Sequence, residues 1–163
     1  MGQYFEWYCH ETSEFISCEM FGCGKKWLEQ FYNSGLMYKA LMILTTDTSS
    51  LGKGGGDLNL EKMKTELITF INPVLGRWVN KRITISGDYS QEVDKRCYNN
   101  ISIIVKYAIM AIIYQEFIDS SCNKNDSTTS VKTYLYNKYP GINWRRDEVL
   151  QTVINSVNYE KDS

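Results

Sequence analysis

Arg77, Trp78, Lys81 and Arg82 form a short basic and aromatic cluster, and Gly87-Asp88-Tyr89 follows it closely. Guanidinium groups pair with carboxylates or phosphates through two parallel hydrogen bonds, and an indole face attracts cations and planar rings. Gly87-Asp88-Tyr89 ends a run of β-formers, and short polar residues at strand ends commonly face a ligand crevice. Adding Lys53, from the glycine-rich segment Leu51–Asp57, gives a candidate ligand-binding set of Lys53, Arg77, Trp78, Arg82, Asp88 and Tyr89. Its chemistry suits a phosphorylated or otherwise anionic small molecule. Trp144-Arg145-Arg146 repeats the basic and aromatic theme near the C-terminus. The plain alternative for all of these is solvated surface, with each Trp packed inward and Gly87-Asp88 serving as a turn.

Other constellations are weaker. In a nucleotide-binding P-loop the Lys comes after the glycines, is followed by Ser or Thr, and opens a helix after a strand. Here Lys53 precedes Gly54-Gly55-Gly56, so a flexible connection fits better, with Asp57 expected to cap a helix beginning near Leu58. Cys9, His10, Cys18 and Cys23 would suit zinc by type, but they lack paired C-x-x-C spacing. In a strand Cys9 and His10 also point to opposite faces, so buried thiols are the simpler expectation and no metal or other cofactor is predicted. His10 is the only His, and no nucleophile elbow accompanies it, so no catalytic residue is assigned. Glu116 and Asp119 lie three residues apart, a spacing that usually marks a solvated helix end.

These residues must be positioned by one domain. A chain of 163 residues with 43% hydrophobic and 23% charged residues can bury a core without staples. Eighteen basic against nineteen acidic residues leave a net charge of −1, so no overall field favours nucleic acid or an anionic membrane. Five cysteines, an odd number unevenly spaced, point to reduced thiols, and the strand-like start of the chain leaves no room for an export signal. A cytoplasmic location is the expectation, and the sequons at Asn100 and Asn125 then carry no chemistry.

Gln3–His10 and Glu14–Cys18 are aromatic-rich, half-alternating runs joined by Glu11-Thr12-Ser13, the pattern of a β-hairpin. From Lys25 onward Trp27, Leu28, Phe31, Tyr38, Leu41 and Met42 recur at helical spacing, and Gly35 allows either a kink or a break into two shorter helices near Asn33-Ser34-Gly35. Thr45–Asp57 reads as a loop and Leu58–Ile71 as a short helix ended by Pro73 and Gly76. Arg82–Ser86 alternates as a strand, Ile101–Ile118 is the central core helix, Ser120–Ser130 a polar loop, and Val131–Tyr136 a possible strand. Lys106 interrupts the apolar stretch, which is too short to span a bilayer. Asp147–Val157 closes the domain as an amphipathic helix, and Asn158–Ser163 is a polar tail.

Met1-Gly2-Gln3-Tyr4-Phe5, Phe21-Gly22-Cys23-Gly24-Lys25-Lys26, Gly76-Arg77-Trp78 and Arg82–Tyr89 together resemble a loose set of small uncharacterised microbial proteins. The resemblance covers about half of the chain, weakens after Tyr98 and implies no reaction. It implies one domain and singles out the Gly-Asp-Tyr turn.

The expected architecture is a single α+β domain over residues 1–157. A small antiparallel sheet, formed by the hairpin, Arg82–Ser86 and Val131–Tyr136, packs against the helices containing Trp27 and Ile101–Ile118. Twelve Tyr and four Trp supply surface suited to recognition. The expected function is a non-enzymatic protein–protein interaction module, a partner of inhibitor or immunity type or a subunit of an assembly, binding neither nucleic acid nor membrane. The alternative is a binding protein or enzyme for an anionic small molecule, with Lys53, Arg77, Arg82 and Asp88 around one cleft. A zinc module through Cys9, Cys18 and Cys23 is a third reading.

Overall fold

The computed structural model describes residues 3–32, 35–120, 128–140, 142, 144 and 147–158. It is an α+β domain in which a four-stranded sheet packs against helices. The hairpin forms as its alternation predicts: β1 (Phe5–Cys9) pairs antiparallel with β2 (Glu14–Ile16), Trp7 facing Ile16 and Tyr8 facing Phe15. β3 (Ile83–Gly87) lies antiparallel on the other side of β1, Ile85 opposite Trp7. The fourth strand was not legible. β4 is the dipeptide Asn99–Asn100, parallel to β2, and its residue types favour turns; the ladder to Glu14 and Phe15 makes it a strand. The order is β3-β1-β2-β4.

Alternation sorts the faces. Cys9 and Ile16 are buried in the main core, while Tyr8 and Phe15 are buried on the opposite face under Tyr98, whose ring meets Tyr8 edge-on at 5.2 Å. Lys95 Nζ stands 5.1 Å above the Phe15 ring and pairs with Glu6 at 2.8 Å.

The helical region divides where expected. α1 (Trp27–Tyr32) and α2 (Met37–Thr45) are separate helices. Gly35 between them has φ 52°, and a Cβ there would collide with the Phe21 carbonyl, which accepts a hydrogen bond from Leu36 N at 2.8 Å. The last carbonyls of α2 are satisfied by a distant segment: Gly76 N donates to Ile43 O and Trp78 N to Leu44 O.

Two expectations are corrected. The helix over Leu58–Ile71 is only α3 (Thr65–Ile71), preceded by a single 3₁₀ turn at Leu60–Lys62. Asn59 accepts from Glu61 N and closes that turn locally, while Lys64 N donates to Gln115 of the central helix, so the chain is held out of a continuous helix. Asp57 therefore caps no helix. Val131–Tyr136 belongs to α5 (Thr128–Lys138), not to the sheet. Val131 and Leu135, four apart, are both buried, and Tyr134 meets Phe117 at 5.4 Å; packing overrides the strand preference of Val and Tyr.

α4 (Ser102–Ser120) is the central helix, in contact with α2, α3, α5 and α6 (Glu148–Asn158). Asn100 caps it through Ser102, whose Oγ in turn accepts from Ser17 N beside β2. Its one inward charge, Lys106, forms a 2.7 Å ion pair with the nearly buried Asp147 ahead of α6. Val149, Leu150, Val153, Ile154 and Val157 of α6 are all buried, as their spacing predicts. Among the described residues no helix is long and apolar enough to cross a membrane.

Candidate functional site

α1 is built inside out. Only Gln30 of its six residues is buried, and its carboxamide is fully used: Nε2 donates to the carbonyls of Phe5 and Lys25 at 2.9 Å each, and Oε1 accepts from Trp7 Nε1 at 2.8 Å. Lys26 N donates to Glu29 Oε2 at 3.0 Å, satisfying an amide at the helix start. A polar side chain thus ties α1 to β1. The apolar residues face outward, with Trp27 49%, Leu28 57%, Phe31 68% and Tyr32 78% exposed. Trp27 and Phe31, four apart, stack at 5.4 Å with their rings 10° from parallel, and Tyr32 meets Phe31 edge-on at 5.5 Å. The half-exposed Tyr4 lies nearby, its ring 5.6 Å from Lys25 Nζ. The spacing of Trp27, Leu28 and Phe31 correctly predicts a shared face. It reads as a core face, and the structure turns that face to the outside; the one local signal is Gln30 within the apolar run.

The sequence-predicted set does not gather. Arg77 is already paired: its Nε lies 2.9 and 2.8 Å from the two carboxylate oxygens of Glu14, and its Nη2 is 2.6 Å from Oε2. Trp78 is fully buried and donates from Nε1 to Glu14 Oε1 at 3.1 Å. Burial pushes the Glu14 carboxyl up, but hydrogen bonds from Arg77 and then Trp78 outweigh it and hold the group below its ordinary value. This buried carboxylate is a structural partner for Arg77 and Trp78.

Arg82 and Asp88 flank β3 at opposite ends, six residues apart, or roughly 20 Å along an extended strand. Arg82 N donates to Glu11 beside the hairpin turn, whereas Asp88 Oδ1 accepts from Tyr4 N at the other end, next to the exposed Tyr89. Lys53 sits in the exposed glycine loop, whose amides are occupied from within: Asp57 accepts from Gly52 N at 2.6 Å, Lys53 N at 3.1 Å and Leu58 N at 2.8 Å. The Lys53 amide first, then that of Gly52, holds the Asp57 carboxyl below its usual range. Trp144 is buried with Nε1 bonded to Tyr139 O, while Arg145 and Arg146 lie outside the described residues.

The thiols are likewise engaged. Cys9 is buried in the core, Cys18 Sγ donates to Gly24 O at 3.1 Å, and Cys23 Sγ to Cys18 O at 3.3 Å. Cys23 is pushed up, first by its hydrogen bond to Cys18 and then by burial. Among the described residues no group of three or more His, Cys, Asp or Glu side chains is placed to hold a metal ion. His10 bridges two hydroxyls, with Nδ1 3.1 Å from Tyr98 Oη and Nε2 2.7 Å from Thr84 Oγ1. Glu116 pairs with Lys138, and Asp119 accepts from Gln115, so the two carboxylates serve separate contacts.

No family model matches this chain, and neither the curated proteins nor the solved structures contain a match.

Proposed function

We infer that this chain is a non-enzymatic protein–protein interaction module, a partner of inhibitor or immunity type or a subunit of an assembly, acting in the cytoplasm. The supporting observation is the outward row Trp27, Leu28, Phe31 and Tyr32 on a helix anchored by a buried Gln30. Leaving such side chains in water forgoes about 1.5–3 kcal/mol each relative to burial, and stacked aromatics on a fixed helix are the residue types that dominate binding energy at interfaces. The partner that fits is a protein with an apolar groove that takes a short helix, with acidic groups on its rim to meet the exposed Lys26. The anionic-ligand alternative loses its main support because Glu14 occupies Arg77 and the strand separates Arg82 from Asp88.

Native mass spectrometry of the protein purified gently from its own source tests this reading. A heteromeric mass is expected for the wild type and should be lost in Trp27→Ala with Phe31→Ala, with thermal stability little changed. A bare subunit, a small bound ligand only, or a complex that survives the double substitution refutes it.

A further inference from the structure

The two edges of the sheet differ. β4 is two residues long and runs straight into α4, leaving little to pair with. β3 is an edge strand of five residues, Ile-Thr-Ile-Ser-Gly, with neither Pro nor Lys to blunt it. Its ladder with β1 fixes which backbone groups face out. His10 N donates to Arg82 O and Asp88 N to Tyr4 O, so the even-numbered residues of β3 bond inward and the amides of Ile83, Ile85 and Gly87 point away from β1; Ile85 is exposed and Ile83 half-buried, whereas Gly87 is buried against the Gln3 side chain and its carbonyl accepts from Ser90 N at 3.0 Å. Among the described residues these amides have no partner, and Ile85 in the middle is 43% exposed.

We propose that β3 is the contact through which two copies of this chain associate, pairing antiparallel about a two-fold axis at Ile85. That register is self-complementary. Ile85 faces Ile85 of the second copy, each bonding the other's backbone, and Ile83 lies opposite Gly87. One step further out, Arg82 of each copy lies opposite Asp88 of the other, and beyond them the exposed Lys81 lies opposite the exposed Tyr89. Among the described residues neither the Arg82 guanidinium nor the Asp88 carboxylate has an ion-pair partner within its own chain. A two-residue slip, the smallest that keeps outward-facing amides opposite one another, would set each Arg82 against Ser86 or Ser90, so the charges select the register. The occupant is a second copy because the opposite charges at the two ends of the strand are spaced to satisfy each other across that axis. This pairing does not depend on the function proposed for α1.

Sedimentation of the full chain over a concentration series tests the pairing. The expected mass rises from 18.9 kDa to twice that value. Arg82→Glu, or Asp88→Arg alone, creates two like-charge contacts per dimer and should weaken association by at least about tenfold. Combining the two substitutions restores opposite charges across the axis and should restore association, with circular dichroism confirming that each variant is folded. A wild type that stays at 18.9 kDa at every concentration, single variants that associate like the wild type, or a folded double variant that remains a single chain would each overturn the proposal.

Discussion

α1 and α4 place apolar residues at the same helical spacing and use them in opposite ways. In α4 the stripe is buried against α2, α3 and α6, apart from Ile103 and Ile104 in its first turn, and the one inward charge is met by Asp147. In α1 the stripe faces out and the inward position is a carboxamide with three partners. Helical periodicity says which residues share a face. Which face goes inside depends on whether the polar group on the other side finds partners there, and those partners can be far away in sequence.

The contrast predicts a graded series. Ile109→Ala in α4 should cost about 3 kcal/mol in denaturant unfolding, since it empties a fully packed site. Glu14→Gln, which extends the test to the other buried polar anchor, should cost about 2 kcal/mol at neutral pH by weakening charged hydrogen bonds from Arg77 and Trp78. Its sign with pH is fixed: the folded carboxyl lies below its ordinary value of 4.5, so its stabilisation is complete above that pH and drains away as pH falls further. The stability gap between wild type and Glu14→Gln should therefore narrow below pH 4.5, and a gap that widens there would contradict the buried pair. Gln30→Leu should cost about 1–2 kcal/mol, because Trp7 Nε1 and two carbonyls lose their partner. If it stabilises the fold instead, the polar anchor is not what orients α1. Phe31→Ala should change unfolding by less than about 0.5 kcal/mol, as for an exposed side chain, whatever it does to binding.

Much of the fold was legible because it is local. The hairpin alternation, the break at Gly35, the core helix and the α6 stripe each declare themselves within a dozen residues. What escaped is non-local. Val131–Tyr136 has strand composition and becomes helical because Val131 and Leu135 meet the core. Asn99–Asn100 is a strand only through β2. For the candidate site, Arg77 and Trp78 carry the right chemistry for a ligand, yet their partner is Glu14, 63 residues before Arg77. The outward turn of α1 depends on carbonyls at Phe5 and Lys25, which no spacing rule links to Gln30.

The loop that Asp57 closes has a practical meaning of its own. Side chains added at Gly54 or Gly55 would meet nothing within 4 Å, and Asp57 holds the base of the loop shut on either side of them. Extra residues spliced between Gly54 and Gly55 would leave the surrounding packing untouched, at a chain-entropy cost of only about 0.6 kcal/mol for each doubling of loop length. The fold therefore offers an internal attachment point for a reporter, from which partner capture and self-association could be followed on one labelled molecule.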